Sequence, residues 1–499
     1  MQRYFITTPI FYVNAKPHIG HVYSALIADV QNRFQKLKGR ETFFATGTDE
    51  HGLKIQQAAN KQNMKPSEFC QLHSDQFKNT FNDFNINFDD FIRTSETRHK
   101  EAVEQFWTNL AQKGYLQKKT YQSWYCVQDE SFLTLHQIDQ QKMVSLESGH
   151  SVEWAEEENY VFPLEPFRHE VSKWTKTAVK PQIFRNSLKQ FLENPIPDLS
   201  VSRCSSRLSW GIPVPNDPSQ TIYVWLDALI NYLSVIGYPG DLQTWPPNCH
   251  VIGKDILKFH AIYWPAFLLA ADLELPRKIL CHSHWTINDE KMSKSKGNVL
   301  DPNEVAKICG HDGLRYFLLK QGVAHSDGNF SHEQLINVLN NDLANTLGNL
   351  VNRITAKSIN LEQNFYDDSN EYSSVETEDL RTCLQTLVQV EQHYEDFNYY
   401  LALDKIMECL RHVNNLIQVE KPWELKKSGD FSKLNSILNL SLNSVRICSI
   451  LLQPVIPSLS DKILHKLNIP TDQRTLEEIK NHVNNVKLNE EKLLLFKKI

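Results

Sequence analysis

Pro17-His18-Ile19-Gly20-His21 stands between an apolar stretch, residues 4–8, and a run in which Val22, Leu26, Val30, Phe34 and Leu37 recur at helical spacing before Gly39. The spacing predicts a strand, a tight turn and an amphipathic helix, and residues 42–46 read as the next strand. A helix that opens straight after a strand presents unpaired N–H groups and a partial positive charge at its first turn. Such an end attracts phosphate. The glycines here form neither the GxGxxG of a dinucleotide fold nor the GxxxxGK of a P-loop; two imidazoles flank one glycine instead. His18 and His21, three residues apart, can face the same phosphates, and Gly20 would let an adenine approach the backbone. Taken alone, the pattern suits a helix cap with two solvated histidines equally well.

A chain of 499 residues predicts two or three domains around a sizeable core. Its formal charge of -6 gives no global positive field, so any contact with RNA must be local and shape-based. The nine cysteines are scattered singly, with no CxxC pair, and read as reduced packing residues of an intracellular protein. No apolar run reaches the ~20 residues that span a bilayer; the best, near 261–271, is interrupted by Pro265. Neither a signal peptide nor an arginine-rich transit segment precedes Tyr4.

Residues 1–117 alternate strand and helix patterns and read as the first half of a nucleotide-binding domain. Thr46-Gly47-Thr48-Asp49-Glu50-His51-Gly52 places Asp49 at the carboxyl end of a parallel strand, where ligands bind in open α/β sheets. Asp49 is thus a candidate partner for a substrate ammonium, or the cap of the helix that starts near Leu53. Residues 118–205 are aromatic-rich, charged and non-periodic, and read as an insertion. The second half of the domain, 206–275, brings Trp225, Leu229 and Tyr232 onto one helical face, Gly253, Lys254 and Asp255 at another strand end, and His260 one turn before Trp264. Aromatics beside one histidine suit a thioether; plain core packing would use the same residues.

In 276–330 a strand and an Asn-Asp turn deliver Lys291-Met292-Ser293-Lys294-Ser295, and with Lys296 the lysines form a cationic strip suited to polyphosphate. Residues 331–499 read as all-helical, with helices over 333–360, 376–394, 399–420 and 434–452 and a polar loop over 367–378. There Asn349, Arg353 and Trp423 could offer hydrogen bonds and a stacking plane to unpaired bases. Helix solvation for the first two and core packing for Trp423 are the alternatives.

The histidine and lysine motifs together resemble the two signatures of class I aminoacyl-tRNA synthetases. Thr8-Pro9-Ile10-Phe11-Tyr12-Val13-Asn14, Thr48-Asp49-Glu50-His51-Gly52, Ser145-Leu146-Glu147-Ser148-Gly149-His150, Trp210-Gly211-Ile212-Pro213-Val214-Pro215, Val224-Trp225-Leu226-Asp227-Ala228 and Phe259-His260-Ala261-Ile262-Tyr263-Trp264-Pro265-Ala266 narrow the resemblance to methionyl-tRNA synthetases, in particular the short animal mitochondrial form. It covers nearly the whole chain. It implies an α/β fold: a Rossmann-like parallel-sheet catalytic domain with an inserted connective subdomain, followed by an all-α anticodon-binding helix bundle.

The implied activity is ligation of L-methionine to tRNA(Met) through methionyl-adenylate, with ATP and Mg2+. By position, His18, His21, Lys291 and Lys294 resemble the catalytic residues, and Gly20, Gly253, Lys254 and Asp255 join His18, His21 and Lys294 around ATP. Ile10, Tyr12, Asp49, Trp225, Ala228, Leu229, Tyr232, His260 and Trp264 resemble the methionine site, and Asn349, Arg353 and Trp423 the anticodon site. In the family the insertion often carries a zinc knuckle of paired cysteines. Here only Cys126 stands in the corresponding Tyr-Cys-x-x-Asp-Glu stretch, and one thiolate cannot make a tetrahedral site, so no structural zinc is expected.

The resemblance points to the mitochondrial matrix, with the cytoplasm as alternative. It also points to a monomer without membrane attachment, because no appended dimerising module follows the bundle. The rivals are a class I ligase for another apolar amino acid, a small adenylyltransferase, and a catalytically silent tRNA-binding protein. Trp225 and His260 disfavour the first, the helical domain the second, and the intact His18, His21, Lys291 and Lys294 the third.

Overall fold

The computed structural model describes residues 3–126, 131–133, 135–146, 149–240, 242–292, 298–365, 374–491 and 493–499. The chain forms two compact units, one of residues 1–17, 43–80 and 88–282, the other of 18–42, 81–87 and 283–499.

The first unit is organised on a six-stranded sheet. Its order is Asp90–Arg93, β2 (Thr42–Asp49), β1 (Tyr4–Tyr12), Cys249–Gly253, Ile279–His282 and Val179–Lys180. The pairings of β1 with Cys249–Gly253, and of the strands beyond it, are parallel, as is β2 with Asp90–Arg93. β1 runs four residues past the Thr8 end expected from sequence. Proline lacks a ladder donor and reads as a stop, but the pairing with Cys249–Gly253 ends at Thr7, so Pro9 interrupts no bond there. β2 likewise continues from Thr46 to Asp49.

The insertion is less irregular than its sequence. Most of it is an antiparallel sheet of Leu199–Ser200, Glu153–Phe162, Gln117–Cys126 and Ser131–Leu133. Along Glu153–Phe162 the inward positions are Ala155, Glu157, Asn159 and Val161. Two polar residues on the inner face hide the period of two; Glu157 is held there by Arg207 at 3.0 Å. The insertion also supplies Val179–Lys180, an edge of the main sheet. Cys126 is a buried thiol in a small apolar cluster with Leu133 and Ile138, covered by Trp124 and Val152. Asp129 and Glu130 of the knuckle-like stretch lie outside the described residues.

In the second unit, helix α1 (Ile19–Leu37) follows the histidine motif. Its Asp29 meets Arg315 at 2.7 Å, both side chains fully buried. Arg315 also donates to the carbonyls of Val455, Pro454 and Phe84 at 2.8, 2.8 and 2.9 Å. Tyr399 donates its hydroxyl to the carbonyl of Ile27, and Lys38 pairs with Glu391 and Glu395. The Asn-Asp turn appears as expected: Asn288 and Asp289 take positive φ (49° and 65°) between Trp285–Ile287 and Glu290–Lys291, the conformation of a tight hairpin.

Strands do not cease at 328. Gly328–Phe330 pairs with Trp285–Ile287, and Asn364–Phe365 with Val486–Lys487. The single helix expected over 333–360 is three pieces: His332–Leu339, a π-helical stretch Asn340–Gly348, and Asn349–Ile354. Thr346 donates its hydroxyl to the carbonyl of Asn341, five residues back, a bond that fits the wider turn. Val375–Thr386, Val388–Glu395, Tyr399–Glu420 and Phe431–Leu452 follow. Most of the loop read over 367–378 lies outside the described residues. Among those described, no helix is long and apolar enough to cross a membrane.

Candidate active site

The first turn of α1 is closed by its own histidines. The backbone N–H of Gly20 donates to Nδ1 of His18, and that of His18 donates to Nδ1 of His21, both at 3.1 Å; the rings stack with centroids 3.7 Å apart. A backbone N–H can only donate, so each Nδ1 carries a lone pair and each neutral ring carries its hydrogen on Nε2. The cap therefore sets both tautomers and makes two N–H donors at a helix N-terminus. The histidines thus cap the helix, as the alternative has it, and capping orients them.

Gly20 is required for the same reason, since a Cβ there would lie 2.9 Å from Cε1 of His18. Cε of Met292 is 3.7 Å from that point, and the N–H of Ile19 donates to the carbonyl of Leu300. Met292, at the start of the lysine motif, and Leu300, beyond it, thus meet the first turn of α1. Lys294 itself lies outside the described residues. Lys291 ends the hairpin strand that leads into the loop.

In the first unit most of the residues assigned to methionine converge. Trp225 lies on the short helix Val224–Leu229 and Tyr232 on Asn231–Ser234. Trp225 stacks on Phe259 at 3.7 Å and 10° and meets the edge of His260 at 6.1 Å. Ala228, Leu229, Tyr232, His260 and Trp264 are buried, and Ile10 packs on the same cluster. Nδ1 of His260 lies 3.0 Å from the carbonyl of Ile256 and must donate to it, so Nε2 accepts from the hydroxyl of Tyr232 at 2.7 Å. Trp264 donates its indole N–H to His250, whose other nitrogen meets the hydroxyl of Thr7 at 2.7 Å. Phe259–Tyr263 is a π-helical turn, which displaces His260 from regular helical register.

Burial pushes the pKa of His260 down from 6.5 to about 4. Between these values the unfolded chain takes up a proton that the folded pocket refuses. His260 thus contributes full stability above about pH 6.5 and loses on the order of 3 kcal/mol as pH falls toward 4. The expected result is that the Tm difference between wild type and His260→Gln shrinks over that interval in thermal melts.

Asp49 closes β2, buried, and its carbonyl accepts from the N–H of Val13, next to Tyr12. The ring of Tyr12 lies under the ammonium of Lys54 at 5.8 Å. Asp49 is not the cap of the next helix; Gly52 holds that position. The residues that sequence reading passed over lie beside it. Glu50 is fully buried and clamped by Arg93 (2.6 and 3.1 Å) and by the hydroxyl of Ser95. His51 meets one oxygen of Asp227 at 2.7 Å through Nδ1, and His99 meets the other at 2.7 Å through Nε2. Burial opposes charge on Asp227, but the two imidazoles outweigh it and hold the pKa at about 2. An acid inside the apolar run of residues 222–230 was the one available signal.

Gly253 ends a central strand, and a Cβ there would strike the carboxylate of Asp255 at 2.6 Å. Lys254 and Asp255 start the turn that follows, at the carboxyl edge of the sheet. In the second unit Asn349 and Arg353 line an open cleft of about 400 Å³ together with Asn345, Asn352 and Asn414. The guanidinium of Arg353 lies 5.7 Å from the ring of Trp423. Among the described residues no group of three or more His, Cys, Asp or Glu side chains is placed to hold a metal ion.

Two family models match, "tRNA synthetases class I (M)" over residues 4–355 and "Anticodon binding domain of methionyl tRNA ligase" over 367–499. The mitochondrial methionine–tRNA ligase of Homo sapiens is 47% identical over 96% of this chain and 86% of its own length. The probable mitochondrial methionine–tRNA ligase of Dictyostelium discoideum is 43% identical over 100% of this chain and 92% of its own. The Mycobacterium tuberculosis methionyl-tRNA synthetase solved with methionyl-adenylate superposes with a TM-score of 0.95 at 35% identity, over 99% of this chain and 100% of that one. A catalytic model and an anticodon-domain model that between them span the chain, with relatives aligned nearly end to end, leave one conclusion: the chain belongs to the methionyl-tRNA synthetases of class I.

Proposed function

We propose that the chain activates L-methionine with ATP and transfers it to tRNA(Met). The carboxylate of methionine attacks the α-phosphorus of ATP, the bond to the bridging oxygen breaks, and pyrophosphate leaves. The terminal ribose hydroxyl of the tRNA then attacks the adenylate carbonyl and AMP leaves. No covalent enzyme intermediate is needed. The observation that carries this reading is the self-capped histidine pair, two oriented Nε2–H donors at a helix N-terminus met by Met292 of the lysine motif and by Leu300 beyond it.

His18 and His21 donate to the phosphate oxygens, Lys294 offsets the charge that develops on them, Lys291 supports that loop, and Gly20, Gly253, Lys254 and Asp255 hold the nucleotide. Mg2+ arrives with ATP as part of the substrate, and no step runs through a protein-held metal; with Cys126 the one thiolate in its stretch, the chain is expected to hold no structural zinc. Asp49 holds the ammonium of methionine, and Ile10, Tyr12, Trp225, Ala228, Leu229, Tyr232, His260 and Trp264 hold its side chain. The neutral His260, bonded to Tyr232, keeps that pocket polarizable but uncharged. One methylene is worth ~1 to 3 kcal/mol to such a pocket. Trp264→Phe should therefore lower discrimination against leucine and ethionine by up to about tenfold in kcat/KM, measured by pyrophosphate exchange; unchanged ratios would remove Trp264 from the pocket.

Asn349, Arg353 and Trp423 read the anticodon. The relatives' mitochondrial names support work in the mitochondrial matrix. Charging assays with tRNA(Met) and an anticodon variant test the whole reading: methionylation is expected to fall at least a hundredfold for the variant. Equal charging of both tRNAs would contradict it.

A further inference from the structure

Asp227 lies on the helix that carries Trp225, Ala228 and Leu229, and through His51 it is bonded to the loop that leaves β2 at Asp49. These are the two ends of the methionine site proposed above. We infer that the bond from His51 to Asp227 is a spacer, which sets the distance between the ammonium partner Asp49 and the side-chain pocket and so selects amino acids by length. The inference rests on the reading of Asp49 as that partner.

The geometry is that of a rigid link. His51 and Asp227 are almost wholly excluded from water, and the bond between them is short. His51 is steadied by the edge of Trp210 at 5.7 Å. Trp210 also ties the loop by two bonds: its indole N–H donates to the carbonyl of Glu50, and its own carbonyl accepts from the N–H of Gly52. On the other side Asp227 is held by His99, whose second nitrogen meets the hydroxyl of Ser234, and Ser234 donates to the carbonyl of Ile230 on the same helical segment. Asp49 therefore ends β2 just before two fixed residues, Glu50 clamped to Arg93 and Ser95 and His51 bonded to the pocket helix. His99 makes an equal bond to the same carboxylate but comes from Thr97–Gln112, which carries no residue of the site.

That symmetry supplies the experiment. His51→Ala and His99→Ala each remove one short buried bond to Asp227, yet only the first cuts the link. His51→Phe is measured beside them because it fills the ring volume without an N–H. The readouts are steady-state pyrophosphate exchange with methionine, with ethionine (one methylene longer) and with homocysteine (one methyl shorter). His51→Ala and His51→Phe are expected to raise KM for methionine at least tenfold, to lower the methionine-to-ethionine ratio of kcat/KM at least fivefold, and to leave KM for ATP within twofold. His99→Ala should change the ratio less than twofold despite a comparable drop in Tm. His51→Asn, whose amide nitrogen falls near Nδ1, should restore the ratio.

Equal changes in the His51 and His99 variants, or an unchanged ratio in His51→Phe, would overturn the spacer. Asp49→Asn separates this from the underlying reading. If it leaves KM for methionine unchanged while His51→Phe shifts it, the ammonium assignment fails and the link stands; the reverse pattern keeps Asp49 and rejects the link.

Discussion

Lys294→Ala is expected to slow methionyl-adenylate formation about 10²- to 10³-fold, the loss that follows removal of one oriented donor to developing charge. The two histidines can offer only neutral N–H groups while their Nδ1 atoms accept backbone bonds. Neutral donors orient phosphate oxygens, but the departing pyrophosphate gains charge, and a lysine is the group that can offset it. The loss should appear in the rate of single-turnover adenylate formation, with the ATP concentration for half-saturation changed only a few-fold, since ground-state binding retains the remaining donors. A variant with a near-normal rate, or one that loses ATP affinity in proportion to rate, would contradict the assignment.

Arg315→Ala should destabilise the helical unit by about 3 to 5 kcal/mol, the usual cost of removing one partner from a buried ion pair. Its guanidinium satisfies Asp29 on α1 and three carbonyls from two other segments. Alanine would leave those carbonyls buried without their donor. Arg315→Lys should recover only a small part, because a single ammonium cannot match a fork spread over four acceptors. Urea denaturation followed by circular dichroism reads the change, and a loss below about 1 kcal/mol would show that water replaces the guanidinium without cost. Because α1 opens with the histidine cap, the same variant tests whether anchoring this helix matters to activation.

Much of this architecture was legible in the sequence wherever a local rule and the fold agree. The α1 pattern is read directly because its apolar residues keep helical period and its ends carry turn residues. The Asn-Asp hairpin is read because those residues tolerate the positive φ that the turn needs. Errors arise where an exception is set by tertiary context. Pro9 looks like a strand end until the pairing of β1 with Cys249–Gly253 is seen to end at Thr7, before it. Glu157 and Asn159 mask a strand by facing inward, and the π-helical stretch at Asn340–Gly348 leaves the apolar period too little changed to betray a wider turn.

The active site divides in the same way. His18, Gly20, His21 and the pocket aromatics stand out as residue types suited to phosphate or to a thioether. The positions of Asp227, His51 and His99 do not, because a single acid in an apolar run does not name its partners. Its partners are 176 and 128 residues away in sequence.

The most direct test of the account is methionine-dependent ATP–pyrophosphate exchange by the purified chain, without tRNA. Exchange is predicted with methionine, much weaker with leucine or valine, and about 10²- to 10³-fold slower in Lys294→Ala. Exchange that runs equally well with those other amino acids, or none with methionine, would contradict the central claim.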